Sequence, residues 1–142
     1  MPVLIYRLGL AGCERLLGAH WMLITTVGRK SGRPRQTIVD VMHYDQNSDA
    51  YYVAAAYGPR ADWYRNLQVA PICHAQVGRR KFAACAAALP ADRAEAAAAE
   101  FYRRLPGYAR VVMGIAGQTV RDEAEFRRMA RGWALLEIRT IG

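Results

Sequence analysis

An apolar β-run, Trp21-Met22-Leu23-Ile24-Thr25-Thr26-Val27, empties into Gly28-Arg29-Lys30-Ser31-Gly32-Arg33-Pro34-Arg35-Gln36-Thr37, and this junction constrains the chain most. The loop carries four cations, two glycines and two hydroxyls. A strand ending this way presents backbone N–H groups, guanidinium forks and an ammonium to one spot, the chemistry needed to hold phosphate or clustered carboxylates. A solvated basic hairpin satisfies the same residues. The spacing matches neither Gly-x-x-x-x-Gly-Lys-Ser/Thr nor Gly-x-Gly-x-x-Gly, so it is not a Walker or dinucleotide loop.

Further β-runs follow. Gln36 to Tyr44 has apolar Ile38, Val39, Val41 and Met42, with Asp40 and His43 marking a partly wet face. After the turn cluster Asp45-Gln46-Asn47-Ser48-Asp49, Ala50 to Ala56 forms a third strand, and the three make a meander. Gly58-Pro59 breaks it, and a short helix is predicted over 62–69 with Asp62 as its N-cap and Pro71 beyond its end. Ile72 to Val77 and Lys81 to Leu89 straddle Gly78-Arg79-Arg80, a tight hairpin. Alanine excess in its second arm points to close packing beneath a ligand or another subunit.

Pro90-Ala91-Asp92 opens a helix from Arg93 to Leu105, which Pro106-Gly107 stops. Tyr108 to Ala116 is a second helical piece, Gly117 to Arg131 carries a mixed-charge helical pattern, and Trp133 to Arg139 is a closing strand. Six mostly antiparallel strands with helices inserted late predict an α+β chain, mainly β, built on a small antiparallel barrel, because closure removes exposed edges.

At 142 residues the chain is sized for one domain, and 53% hydrophobic content provides a core and argues against disorder. Net charge is +8, and only Lys30 and Lys81 among the 20 basic residues are lysines. Arginine holds phosphate and carboxylate through a planar fork, so an anionic small molecule, an acidic lipid surface and nucleic acid are the partner classes. Nucleic acid ranks last, because the aromatics do not interleave with the basic residues as base stacking requires. Cys13, Cys73 and Cys85 form no Cys-x-x-Cys and no even framework, which suits a reducing cytosol. His20, His43 and His74 have no ligand spacing, and the adjacent Cys73 and His74 point to opposite faces of a strand, so no metal is expected. The apolar stretch from Pro2 to Gly12 is interrupted by Arg7, is too short to span a bilayer and lacks a signal-peptide pattern. Its stripe fits a helix over 1–18 docked on its own domain or a dimer mate, with an interfacial membrane foot as the alternative.

Two stretches taken together are specific: Thr25 to Thr37, and Asp62-Trp63-Tyr64-Arg65-Asn66-Leu67-Gln68-Val69-Ala70-Pro71. The pair resembles the deazaflavin-dependent nitroreductase family, the F-420-dependent split-barrel oxidoreductases, over residues 21 to 89 and more loosely to Arg139. The resemblance implies an FMN-binding-like split β-barrel, a homodimer, and coenzyme F-420, a deazaflavin with a tail of phosphate and glutamates. On this reading 19–89 is the barrel core, 90–131 a helical insertion and 132–140 the closing strand. Arg29, Lys30 and Arg35 would meet the tail, with Ser31 and Gly32 supplying N–H groups and room, and Gln36 and Thr37 continuing that wall. Ala54, Ala55, Ala56 and Tyr57 would run beside the ring, and Asp62, Trp63 and Asn66 would complete the site. Many relatives carry Ser-Lys-Gly-Gly after the third strand; here Ala56-Tyr57-Gly58-Pro59-Arg60 stands there, so a cationic contact is lost unless Arg60 replaces it. The tyrosine-rich substrate region of some members has no clean counterpart, and Tyr102 and Tyr108 are candidates by position.

The implied activity is hydride transfer from reduced F-420 to an apolar quinone, enone or nitro compound, with catalytic residues unassigned and Tyr57, Tyr64 or water as proton donor. An FMN-binding oxidoreductase of the same fold and a non-enzymatic deazaflavin or lipid carrier are the alternatives.

Overall fold

Side-chain alternation along the first strand sets the architecture. In β1 (Trp21–Val27) Met22, Ile24 and Thr26 are fully buried on one face, while Leu23 packs with Trp21 and Ile38 on the other. The same period of two places Val39 and Val41 inside from β2 (Pro34–Asp45). The computed structural model describes residues 21–55, 60–115, 117–131 and 133–141, so the expected 1–18 helix lies outside the described residues. β3 (Ala50–Ala55), β4 (Ile72–Val77), β5 (Arg80–Ala88) and β6 (Ala134–Thr140) complete a closed barrel in the order β1-β2-β3-β6-β5-β4. Every neighbouring pair is antiparallel, from Val27↔Pro34 through Ala55↔Ala134 to Ile24↔Ala75, where β4 returns to β1. The mixed α+β fold expected from the six β-runs is therefore present.

The barrel is filled by Met22, Ile24, Val39, Val41, Val53, Leu136 and Ile138, with Ala75 and Ala84 where space is short. Helix α1 (Asp62–Val69) packs on it through Leu67, Trp63 and Tyr64. Helices α2 (Ala91–Arg104), α3 (Pro106–Ile115) and α4 (Glu123–Ala130) build a second cluster over the outward side of β2. There Met42 meets Phe101, Tyr102, Ala109, Met113 and Phe126, and the Phe101 and Phe126 rings stack 6.3 Å apart.

Boundaries shift for physical reasons. Strand β2 begins at Pro34, before Gln36, since a first strand residue need not donate. The β4–β5 loop shrinks to Gly78-Arg79, with Gly78 at φ 59. Pro106 ends α2 and also starts α3, because proline in a first turn forfeits no helical bond. The mixed-charge helix starts only at Glu123. Gly117, at φ 79, closes α3, and the Asp122 carboxylate then caps α4 by accepting the Glu125 N–H at 2.8 Å. Asp62, by contrast, is not a cap. It is the first residue of α1, Ala61 holds the N-cap position, and no side chain caps that helix.

At the far end of β2 a clamp joins four strands. Arg80 of β5 donates to both Asp49 carboxylate oxygens, at 2.8 and 2.6 Å, and to the hydroxyls of Tyr51 and Thr140. Its guanidinium lies 4.7 Å from the Phe82 ring centre, and Tyr44 donates to the same carboxylate. The Arg80 guanidinium, then the Tyr44 hydroxyl, hold the Asp49 carboxyl well below the ordinary aspartate range. A carboxyl depressed by folding adds stability above its unfolded value of about 3.9 and loses it as pH falls further. Urea midpoints followed from pH 7 to pH 2 should therefore drop below about pH 4, and Arg80→Ala should flatten that drop. An equal slope in both proteins would refute the assignment.

Candidate functional site

The loop between β1 and β2 is held from inside by Asn66. This residue of α1 is 3% exposed, and its carbonyl oxygen accepts the Arg29 backbone N–H at 3.1 Å and the Arg29 guanidinium at 2.9 Å. Its amide nitrogen donates to the Thr26 hydroxyl of β1 at 3.1 Å. Asn66 thus fastens strand, loop and helix together. Arg29 also reaches the Asp62 carboxylate at 3.2 Å, but that carboxylate is 85% exposed, so water screens the pair.

The loop then closes on itself. Gly28 N–H donates to the Arg33 carbonyl and Gly32 N–H to the Gly28 carbonyl, both at 2.8 Å, while the Ser31 hydroxyl accepts the Arg33 N–H. Gly32, at φ 70, makes the turn, and its N–H is spent there, so it does not supply the donor expected of it. Gly28 stands in a tight space. A Cβ on it would stand 2.7 Å from the Ser31 hydroxyl and 3.2 Å from the Arg33 carbonyl.

A cleft of about 620 Å³ opens between this loop and α1. Nine of the residues singled out from sequence line it: Arg29, Lys30, Ser31, Arg35, Gln36, Thr37, Asp62, Trp63 and Asn66. Thr26 and Gly28 join them; the inward alternation of β1 and the strand-to-loop glycine were the signals for these two. Among the described residues Lys30, Arg33 and Arg35 enter no ion pair, and all three side chains are exposed. Trp63 does two things at once, packing on the barrel core and walling the cleft. Such a space, lined by cations and an indole, suits an anion carrying a flat ring.

The alanines at the end of β3 divide differently. Ala54 lines a small cavity under the helical layer with Met42 and Trp133, away from the cleft lining. Ala55 pairs with Ala134 through its backbone, and Ala56 and Tyr57 lie outside the described residues.

A second cavity of about 440 Å³ adjoins the first and shares Gln36 and Thr37 with it. Its other walls are Trp21, Ile38, Val39, Asp40 and Tyr108. The Trp21 indole N–H donates to the Tyr108 hydroxyl and the Tyr108 hydroxyl donates to Asp40, each at 2.7 Å. Burial pushes the Asp40 carboxyl above its ordinary value, against the opposing hydrogen bonds from Tyr108 and Trp21. Sequence alone did not single out Asp40 as a site residue, although a lone carboxylate amid Ile38, Val39, Val41 and Met42 was the available signal. Tyr108 was a candidate by position.

Known proteins place this arrangement. The description F420H2-dependent quinone reductase matches residues 5–121. No curated protein matches the chain. A solved structure named F420-H2 dependent reductase (FDR-A) is 20% identical, with 84% of this chain and 93% of that one covered at a TM-score of 0.56. A second, described as a domain-swapped dimer, has the same identity and score and covers 84% of this chain and 79% of that one. A pyridoxamine 5'-phosphate oxidase-related, FMN binding protein of Nostoc punctiforme is 14% identical, with coverage of 96% and 78% and a TM-score of 0.63. These likenesses establish a fold shared with FMN-binding split-barrel proteins. The sequence match over residues 5–121 goes further: the chain belongs to the F420H2-dependent quinone reductase family, oxidoreductases that depend on reduced coenzyme F-420.

Proposed function

We propose that this chain reduces an apolar quinone, enone or nitro compound, holding the coenzyme in the cleft between the basic loop and Trp63. The observation that carries this reading is the adjacency of two spaces, about 620 and 440 Å³, which both have Gln36 and Thr37 in their walls. One is lined by Arg29, Lys30 and Arg35; the other is lined by Trp21, Ile38 and Val39, with Tyr108 in its wall. The donor set fits a polyanionic tail, because Lys30 and Arg35 face the cleft without a described counter-ion. Bound and reduced, the deazaflavin supplies hydride; the protein binds, orients and excludes water.

Within that division of work, Lys30 and Arg35 take the phosphate and carboxylates, while Arg29 is a positioning residue whose guanidinium already rests on Asn66. Trp63 offers an aromatic surface near the ring end. A homodimer belongs to the same reading, and exposed Val69 and Ile72, at the end of α1 and the start of β4, supply an apolar pair for it.

Two outcomes test this reading. Lys30→Ala with Arg35→Ala should weaken F-420 binding by about tenfold or more, since charge-assisted hydrogen bonds are each worth about 1.5–3 kcal/mol. Fluorescence titration should also show a flatter salt dependence than in wild type, with FMN as the competing ligand. Unchanged F-420 affinity, or tighter binding of FMN, would overturn the assignment. Asn66→Ala should lower unfolding stability by about 2 kcal/mol, because the Thr26 and Arg29 groups lose their buried partner. Asp62→Asn, altering an exposed pair, should stay within about 0.5 kcal/mol of wild type. Equal urea midpoints for Asn66→Ala and wild type would show that the bracket is not what holds the loop.

A further inference from the structure

We propose that Thr26 binds the coenzyme, its hydroxyl donating a hydrogen bond to an acceptor on the edge of the flat ring at the floor of the cleft. This deepens the function proposed above, and it rests on the bonds of Asn66 rather than on the charge of the loop.

The direction of one hydrogen bond decides what Thr26 can offer. The Asn66 side-chain oxygen accepts two N–H groups of Arg29, the backbone one at 3.1 Å and a guanidinium one at 2.9 Å. Those two donors fix the orientation of the amide, since a flipped group would set N–H against N–H. Its nitrogen therefore faces Thr26 and donates to the hydroxyl oxygen at 3.1 Å. With the oxygen engaged as an acceptor on that side, the hydroxyl proton turns elsewhere. Among the described residues no acceptor takes it, the bond from Asn66 being the side-chain hydrogen bond that Thr26 makes.

Thr26 is 1% exposed and still lines the cleft of about 620 Å³. A hydroxyl so deep meets only what sits at the floor, and a buried donor left without an acceptor is costly. Exposure orders the lining from rim to floor: Lys30, Ser31 and Arg35 are exposed, Trp63 is half-buried, and Thr26 and Asn66 are buried. An anionic tail keeps part of its hydration beside exposed cations, whereas burial at the floor would strip that water away. The floor thus suits the uncharged end of a bound molecule. The backbone N–H groups of Gly28, Arg29, Gly32 and Arg33 are already engaged within the loop or by Asn66. The Thr26 proton calls for an acceptor, such as a carbonyl oxygen of the two-carbonyl ring edge that flavins and deazaflavins share.

Titration with 5-deazariboflavin reads the ring apart from the tail, because this neutral molecule carries the same edge and no phosphate. Thr26→Val should weaken binding of both 5-deazariboflavin and F-420 by about tenfold, the effect of one lost hydrogen bond. Thr26→Ser, which keeps the donor, should stay within about threefold of wild type. Lys30→Ala with Arg35→Ala should weaken F-420 and spare 5-deazariboflavin. In Asn66→Asp the carboxylate still accepts from Arg29 but takes the Thr26 proton, so 5-deazariboflavin should weaken as in Thr26→Val. That variant gives the answer where the valine protein does not fold. Infrared difference spectra should show a ring carbonyl stretch moving to lower frequency on binding to the wild type, and Thr26→Val should undo the shift. Equal 5-deazariboflavin affinity in Thr26→Val and wild type, or no saturable binding of it by the wild type, would overturn the proposal. Failure of the wild type to bind F-420, with 5-deazariboflavin still held through Thr26, would instead remove the functional reading and leave the floor donor in place.

Discussion

A single buried amide organises the site. Asn66 must offer an acceptor toward the loop and a donor toward the strand at the same moment, and the two ends of one primary amide do this without a charge. A carboxylate in that place would accept from Arg29 but could not donate to Thr26. An apolar residue would leave the Arg29 N–H and the Thr26 hydroxyl buried without partners, at a cost larger than the bonds themselves add. Because Asn66 lies in the short helix that packs on the barrel through Leu67, the basic loop inherits the rigidity of the core. A loop of small and charged residues is thereby fixed in place by an element about 40 residues away in the chain.

The barrel carries this rigidity because it has no open edge. Each strand has neighbours on both sides, and the Arg80–Asp49 clamp ties the ends of four strands where the cleft is not. Strand β2 runs from one region to the other, beginning at the cationic loop and ending at the clamp. Its pleat aims Gln36, Ile38 and Asp40 outward and Val39 and Val41 into the core. One strand therefore supplies the wall shared by both cavities and the carboxyl of the second.

How much of this was legible depends on the range of the interactions. The six strands were readable because alternation and turn chemistry are local: Trp21–Val27 and Ile72–Val77 agree with their expected bounds. The cleft was readable because its walls come from two short motifs, and nine of the residues chosen from them line it. What could not be read was the pairing. Arg29 counts as a cation in the sequence, yet the fold spends it on Asn66 and Asp62. Arg80, Arg93, Arg103, Arg121, Arg127, Arg131 and Arg139 likewise meet carboxylates, so much of the arginine excess is structural. Helix starts failed for the same reason, since Gly117 and Asp122 act through backbone geometry that the charge pattern does not reveal.

Separation of charge along β2 explains how one strand can present cations at its start and still hold a carboxyl above its ordinary value further along. Arg35 and Asp40 are five positions apart, on the order of 16 Å of extended chain. Over that distance a cation screened by water offers a carboxyl less than about 0.5 kcal/mol, which falls again at physiological salt. Burial beside Met42 and Phe101 therefore governs Asp40 more than the loop's charge does. Had the loop's cations stood beside Asp40, they would have drawn its carboxyl down instead. A cationic loop and a raised carboxyl are compatible on a single strand because the strand's rise keeps them apart.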